Sequence, residues 1–286
     1  MLEIFLHALG HALLDGLKLL PFLFLTYLAM EWLEHRAGDK VNDWVRKSGR
    51  FGPLVGGLLG VVPQCGFSAA ASNLYSGHLI TLGTLLAIYL STSDEMLPRL
   101  ISKQAPGLLI LELLLAKAGI GMAAGFLIDL CFRKKTVGQS RSIHDVCEHE
   151  HCECEKSILK SSVIHTLKVA FFVILIGFGL ELVFELVGEE TLAALILNRP
   201  FLGPVLAGLI GLIPNCASSV AITQLYLGGA LDLGAMLAGL LVNAGVGLLV
   251  LFRVNRDKKE NFKVMGLLYG VGVAVGIAVS LIWEVF

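Results

Sequence analysis

"GVVPQCGFSAAASNLY" occupies Gly60–Tyr75 and "GLIPNCASSVAITQLY" occupies Gly211–Tyr226. Each phrase sets a proline, an amide and a cysteine inside an apolar run, then small residues and a closing Leu-Tyr. A shift of 151 lays Gly52-Pro53 on Gly203-Pro204, Pro63 on Pro214, Cys65 on Cys216, Ser68 on Ser219 and Tyr75 on Tyr226. At that shift, 12 of the 26 positions from Gly52 to Gly77 are identical. Two Gly-rich apolar stretches that matched by chance would not keep Pro, Cys, Ser and Tyr in one register. The match extends more weakly outwards, where Lys18 and Glu31 meet Lys168 and Glu181 at a shift of 150. The chain reads as two copies of one unit.

The material around the phrases is membrane material. Hydrophobic residues make up 56% of the 286, charged residues only 16%, and mean hydropathy is +0.78. Soluble domains carry about 25% charged residues. Windows such as Leu17–Met30, Gly107–Leu130, Val169–Val187, Leu233–Phe252 and Met265–Ile282 are apolar, and several reach the roughly 20 residues that cross a bilayer as helix. The net charge of −1 gives no reason to expect a nucleic-acid partner. The first apolar run has no basic leader and is interrupted by His7, His11 and Asp15, which argues against a cleaved signal.

Each unit reads as a long helix, two short arms hinged at Pro-x-Cys, then two more long helices. The arms of the first unit, about 51–62 and 66–77, are each roughly 18 Å long as helix, against a hydrocarbon core of about 30 Å. They are either one broken span or a hairpin that enters and returns. Basic residues choose between these. Arg36, Lys40, Arg46, Lys47 and Arg50 form one cluster, Arg133, Lys134, Lys135 and Arg141 a second, and Arg253, Arg256, Lys258, Lys259 and Lys263 a third. The positive-inside rule puts all three in the cytoplasm. Segments 51–77 and 201–227 must then return to the side they left, so that the spans read over 79–97 and 229–251 can emerge correctly.

The expected fold is an all-α polytopic membrane protein of two inverted repeats. Each repeat has three transmembrane helices plus one re-entrant helical hairpin. The expected organisation is membrane repeat 1 at 1–131, a cytoplasmic linker at 132–164 and the inverted repeat 2 at 165–286. The expected location is the inner cell membrane, multi-pass, with both termini outside and the hairpin tips meeting near the midplane. Non-helical backbone at membrane depth survives only where protein or a water-filled cavity satisfies it. Interrupted segments at matching places in two repeats point to a transporter's substrate site.

At the tips stand Gln64, Cys65, Ser68 and Asn73 in the first copy, with Asn215, Cys216, Ser218, Ser219 and Gln224 in the second. Free carbonyls end one arm and free amides begin the next, so a tip suits a cation or an anion. The bland alternative is that small residues and a buried thiol simply pack there. "STSDEMLP" (Ser91–Pro98) adds Asp94 and Glu95 near the outer end of a span, as coupling candidates or a solvated helix end. Its aligned stretch has Asn243 opposite Thr92 and no acid. His7, His11 and Asp15 recur every fourth residue, on one helical face. That face suits a metal, a proton relay, or merely the polar side of an outer helix. Lys18 and Glu31, with Glu112, Lys117 and Asp129, are either ion partners or interface residues.

"HDVCEHEHCECE" (His144–Glu155) gathers His144, Cys147, His149, His151, Cys152 and Cys154 among acids. Cytoplasmic thiols stay reduced, which favours metal binding over disulfides. Thiolate and imidazole suit Zn²⁺, Cd²⁺, Co²⁺ or Cu⁺. The spacing fits no folded zinc module, so the tract reads as a flexible metal collector.

"LKLLPFLFLTYLAMEWLEH", "VVPQCGFSAAASNLYSG", "LSTSDEMLP", the Cys/His linker and "LIPNCASSVAITQLY" together resemble a bacterial family of manganese transporters. Its members are also labelled arsenic efflux proteins or ten-span heavy-metal exporters. The resemblance covers nearly the whole chain, and counting each hairpin arm separately gives ten. It implies a transporter and not an enzyme, with Mn²⁺ as first substrate. Arsenite would want the thiols and Mn²⁺ the carboxylates, and the chain carries both.

The leading expectation is a secondary-active exporter of a divalent transition-metal cation, Mn first and Zn or Cd next, working by alternating access. The alternative is a metalloid or small organic-anion transporter of the same architecture. No Gly-x-x-x-x-Gly-Lys-Ser/Thr motif is present, so an ion gradient would drive it. No cofactor is required, and the metal ion is substrate or linker ligand. The expected partners are that ion or a small solute and the lipid bilayer, with room for a homodimer. An intramembrane enzyme using Cys65 or Cys216 would need an adjacent base, and neither hairpin contains a histidine.

Overall fold

A computed structural model describes residues 51–62, 65–93, 96–136, 158–187 and 201–285, with helical positions scattered between 10 and 28. The described residues are helical, with no strand among them. In chain order the helices are α1 (Gly52–Gly60), α2 (Cys65–Ser76), α3 (Leu82–Ser91), α4 (Met96–Ser102), α5 (Gly107–Thr136), α6 (Ile158–Val187), α7 (Leu202–Gly211), α8 (Cys216–Leu227), α9 (Leu233–Val242), α10 (Gly247–Val254) and α11 (Lys258–Val285). Gly107–Phe132, Leu233–Val254 and Lys258–Ile282 are long and apolar enough to cross a membrane. Both ends of the expected linker are helical, since α5 runs on to Thr136 and α6 begins at Ile158.

Local chemistry sets the boundaries. Proline in the first turn starts α1, where its missing N–H is no loss. Thr81 caps α3 by accepting from the Thr84 amide, Asn215 caps α8 through Ser218, and Asp232 caps α9 through Ala235. Between α2 and α3 the chain turns through His78 at φ 57°, and between α8 and α9 through Gly229 at φ 75°. The hydrogen bonds there correspond as well: Leu79 N to Leu74 O at 2.8 Å, and Ala230 N to Leu225 O at 2.9 Å.

One expectation needs correction. The spans read as continuous over 79–97 and 229–251 are both broken. α3 stops at Ser91 and α4 restarts at Met96, while α9 stops at Val242 and α10 restarts at Gly247. In the second break Asn243 leaves the helix with ψ 102°, its Oδ1 accepts from Gly245 N at 2.7 Å, and Gly245 takes φ 55°. In the first, the hydroxyls of Ser91, Thr92 and Ser93 donate to the carbonyls of Ala87, Ile88 and Ser91. Short polar side chains that bond nearby backbone compete with the helix. Each break leaves the last carbonyls of α3 and α9 without helical donors.

The two halves pack alike. α3 lies against α1 and α5, and α9 against α7 and α11. Glycines allow the close approach: a Cβ on Gly83 would strike the Gly125 carbonyl, and a Cβ on Gly234 the Gly276 carbonyl. α1 runs beside α3 in the same direction, with Gly52 against Thr84, Gly56 against Thr84 and Ile88, and Gly60 against Ile88 and Ser91. α2 then comes back, because its C-terminal end leads through His78 directly into the start of α3. The second arm of each pair crosses to the other half, so that α2 packs on α10 and α8 on α4. A Cβ on Gly247 would sit 2.8 Å from that of Ser68, which makes the α2–α10 contact dependent on glycine.

One end of the molecule gathers Tyr75, whose hydroxyl donates to Glu260 Oε1 at 2.6 Å, and Ser76, which donates to Val254 O at 3.1 Å. Lys263 sits over the Phe132 ring at 3.7 Å on the same end. Leu233–Val254 forms the centre and is 89% buried, against 28% for each of the other two candidate spans. Those two carry exposed apolar faces, including Leu108, Leu111, Leu115, Leu127 and Leu130 on α5. In a bilayer such faces meet lipid.

Candidate functional site at the two helix breaks

The two breaks meet around a small polar cavity of about 10 Å³, lined by Thr92, Ser93, Met96, Lys117, Ser219, Leu240 and Asn243. That is room for one water or one bare ion. The break after α3 supplies Thr92 and Ser93, α4 begins at Met96, α9 supplies Leu240 and the break after it Asn243, and α8 brings Ser219 from the side. The polar lining is ordered by its own bonds. Asn215 Oδ1 accepts from Ser218 N at 3.0 Å, and Ser218 Oγ accepts from Asn243 Nδ2 at 2.7 Å. This network ties the start of α8 to the break between α9 and α10.

Lys117 is the charged member. It is the eleventh residue of the 26-residue run Gly107–Phe132, near mid-span, and is 1% exposed. Its ammonium donates to the carbonyl oxygen of Thr92 and, at 2.7 Å, to that of Leu240. Thr92 is the C-cap of α3, and Leu240 lies in the last turn of α9. Two helix C-termini, each carrying partial negative charge, therefore converge on one cation. The sequence held Lys117, Glu112 and Asp129 equally open, and the structure separates them. Glu112 is exposed. Asp129 anchors the start of α3, accepting from Thr81 Oγ1 at 2.6 Å and Gly83 N at 2.8 Å. Sequence reasoning could rank Lys117 no higher, because these two carbonyls lie 25 and 123 residues away.

The expected tip residues divide into groups. Ser219 and Asn243 line the cavity. Asn215 is a buried cap and Ser68 is fully buried where α2 meets Gly247. Asn73 accepts from the Tyr27 hydroxyl at 3.2 Å. Gln224 accepts from Arg99 Nη2, linking α8 to α4. Cys65 and Cys216 open α2 and α8, but their side chains lie outside the described residues. So do Gln64, Asp94, Glu95, His7, His11, Asp15 and the tract His144, Cys147, His149, His151, Cys152 and Cys154. Ser93 and Met96, flanking the acid pair, are each 1% exposed, so those flanks do not belong to a solvated helix end. Among the described residues no three His, Cys, Asp or Glu side chains gather as a metal site.

Three side chains the sequence did not single out, Ser72, Tyr89 and Met96, complete the centre with Lys117. Ser72 Oγ lies 2.7 Å from Gly247 O and 2.7 Å from Tyr89 Oη, which lies 3.1 Å from the same carbonyl, so the two hydroxyls share that acceptor and each other. Met96 and Lys117 line the cavity directly. A polar residue within an apolar window was the available signal for Ser72, Tyr89 and Lys117. Met96 had none.

A family model described as "Putative, 10TM heavy-metal exporter" matches residues 2–180 and 120–283. No curated protein and no solved structure matches the chain. The matched residues run through nearly the whole sequence, and the helices they form are those of a multi-span membrane protein. The chain belongs to this family of ten-span heavy-metal exporters.

Proposed function

We propose that the chain is a secondary-active transporter that exports a divalent transition-metal cation by alternating access, Mn²⁺ first and a Zn²⁺- or Cd²⁺-type ion next. One observation carries the reading. Two apolar helices are interrupted at matching positions, and their breaks enclose a polar, ion-sized cavity near mid-span. Interrupted helices of this kind form the midplane site of many secondary transporters. The parallel course of α1 and α3, with α2 returning, supports a re-entrant hairpin. The anchoring pairs support inversion of the second half. Thr81–Asp129 lies near the α5 terminus beside Lys263, whereas Asp232–Ser280 lies 17 residues further along α11, about 25 Å away.

In this reading Gln64, Cys65, Ser68, Asn73, Asn215, Cys216, Ser219 and Gln224 surround the path. Asp94, Glu95 and Asn243 couple the ion gradient, and the 144–155 tract collects metal on the cytoplasmic side. Both termini lie outside the inner membrane. The test is an element panel by mass spectrometry on cells expressing the chain against empty-vector cells under a mixed sublethal metal load. A selective fall in one cation supports export. Unchanged cation content removes that reading.

The second reading is a metalloid or small organic-anion transporter of the same architecture, and the start of α8 beside the cavity favours it. Free amides at a helix N-terminus hold anions. Metal-independent solute flux that survives removal of residues 144–155 favours this second reading, and flux lost with that tract favours cation export.

A further inference from the structure

An ammonium at mid-span is costly to bury, and it needs a structural account beyond attraction or repulsion of substrate. Two main-chain carbonyls that accept from Lys117 stand at the ends of two interrupted helices. Such half-helix C-termini are what coordinate small cations inside transporters. The repeat sharpens the point. The position 151 residues after Lys117 is Leu268, which is fully buried against the same kind of helix pair. The packing therefore accepts an apolar side chain there, and the charge in the first half serves something else. Thr92, Ser93, Ser219 and Asn243 add oxygen-bearing side chains around a cavity already the size of one ion.

We propose that the carbonyl oxygens of Thr92 and Leu240 form a site for a small monovalent cation, and that Lys117 is its tethered occupant. The lysine holds permanently the place that a dissolved ion of ammonium size would hold reversibly. The protein accordingly keeps its two helix breaks together without any monovalent ion from solution. Removing the side chain converts a built-in cation into an exchangeable one. Lys117 acts here by positioning α3 and α9 around the cavity. Its bearing on transport rests on the transporter reading, but the site itself does not.

The test is thermal unfolding of the purified full-length chain in detergent, as wild type and as Lys117→Ala. Each is heated in chloride salts of sodium, potassium, methylammonium and tetramethylammonium at matched ionic strength. For Lys117→Ala, at least one of the three small cations should raise Tm by at least about 3 °C over tetramethylammonium, which is too large to enter. Wild type should not distinguish the four salts. Equal behaviour of Lys117→Ala in all four overturns the site, as does a wild-type response as large as the variant's. If Lys117→Ala yields no folded protein in tetramethylammonium, recovery in methylammonium supports the site and failure in every salt overturns it. Unchanged metal content in cells expressing wild type would defeat the export reading and leave this Tm comparison standing.

Discussion

The ends of the two halves solve one problem in two spellings, whereas their middles do different things. At the start of α3 a hydroxyl, Thr81, meets a carboxylate, Asp129. At the start of α9 the carboxylate is Asp232 and the hydroxyl is Ser280. The types have changed places across positions 151 apart, and the bond remains. Near mid-span no such exchange occurs. Lys117 faces Leu268 across the repeat, Thr92 faces Asn243, and Tyr89 faces Leu240. Tyr89 uses its hydroxyl on Gly247 O, while Leu240 offers only its carbonyl to Lys117. An anchor needs a donor and an acceptor in either order, so it tolerates swapping. A buried ammonium needs its acceptors at one place, so there the halves part.

The sharpest way to break this comparison is to make the middles equal. Leu268→Lys puts an ammonium into a fully buried position, at a penalty of several kcal/mol. It should abolish the monodisperse peak on size-exclusion chromatography. The reverse change, Lys117→Leu, deprives two buried carbonyls of a donor, at about 1–3 kcal/mol each. It should lower Tm clearly while leaving some folded protein.

Changes at the ends should instead act equally in both halves. Gly83→Ala and Gly234→Ala each drive a methyl into a facing carbonyl. Each should cost about 1–3 kcal/mol in thermal unfolding, and a large difference between them would break the packing equivalence. Asp129→Ser should cost about 1–2 kcal/mol. Adding Thr81→Asp rewrites the pair in its α9–α11 spelling and should recover most of that loss, as a double-mutant cycle would register. The smallest effects belong to the turns. His78→Gly relieves a left-handed residue by about 1–2 kcal/mol and gives back about 0.4–1 in unfolded-chain entropy. It should leave stability level or slightly higher. Gly229→Ala, at the matching turn, should lose about 1 kcal/mol.

Much of the fold could be read from punctuation. Pro-x-Cys between short apolar arms marked α1–α2 and α7–α8 to within a residue or two, because proline and chain length are local signals. The breaks inside the next spans were hidden. Asn243-Ala-Gly-Val barely lowers the apolar content of Leu233–Val254, whose mean hydropathy is 2.3, and a window average cannot see an Asx turn. In the first half, "STSDE" suggested a helix end, and α3 does stop at Ser91. Ser93 and Met96 beside it are buried, which residue type did not reveal. Residue type singled out Ser219 and Asn243, and both line the cavity. It could not rank Lys117, because depth along α5 does not reveal which distant carbonyls wait there.

The exchange of arms between halves has a consequence for how the protein is made. Ser72 on α2 emerges 175 residues before Gly247, whose carbonyl it binds. At about 5–20 residues per second, that is a wait of roughly 10–35 s. Throughout that interval the first half is in the membrane with one arm lacking its neighbour. Neither half can finish alone, and the nascent protein matures only when the second is inserted. Because both halves lie on one chain, the second is inserted within reach of the first, and each then supplies what the other lacks.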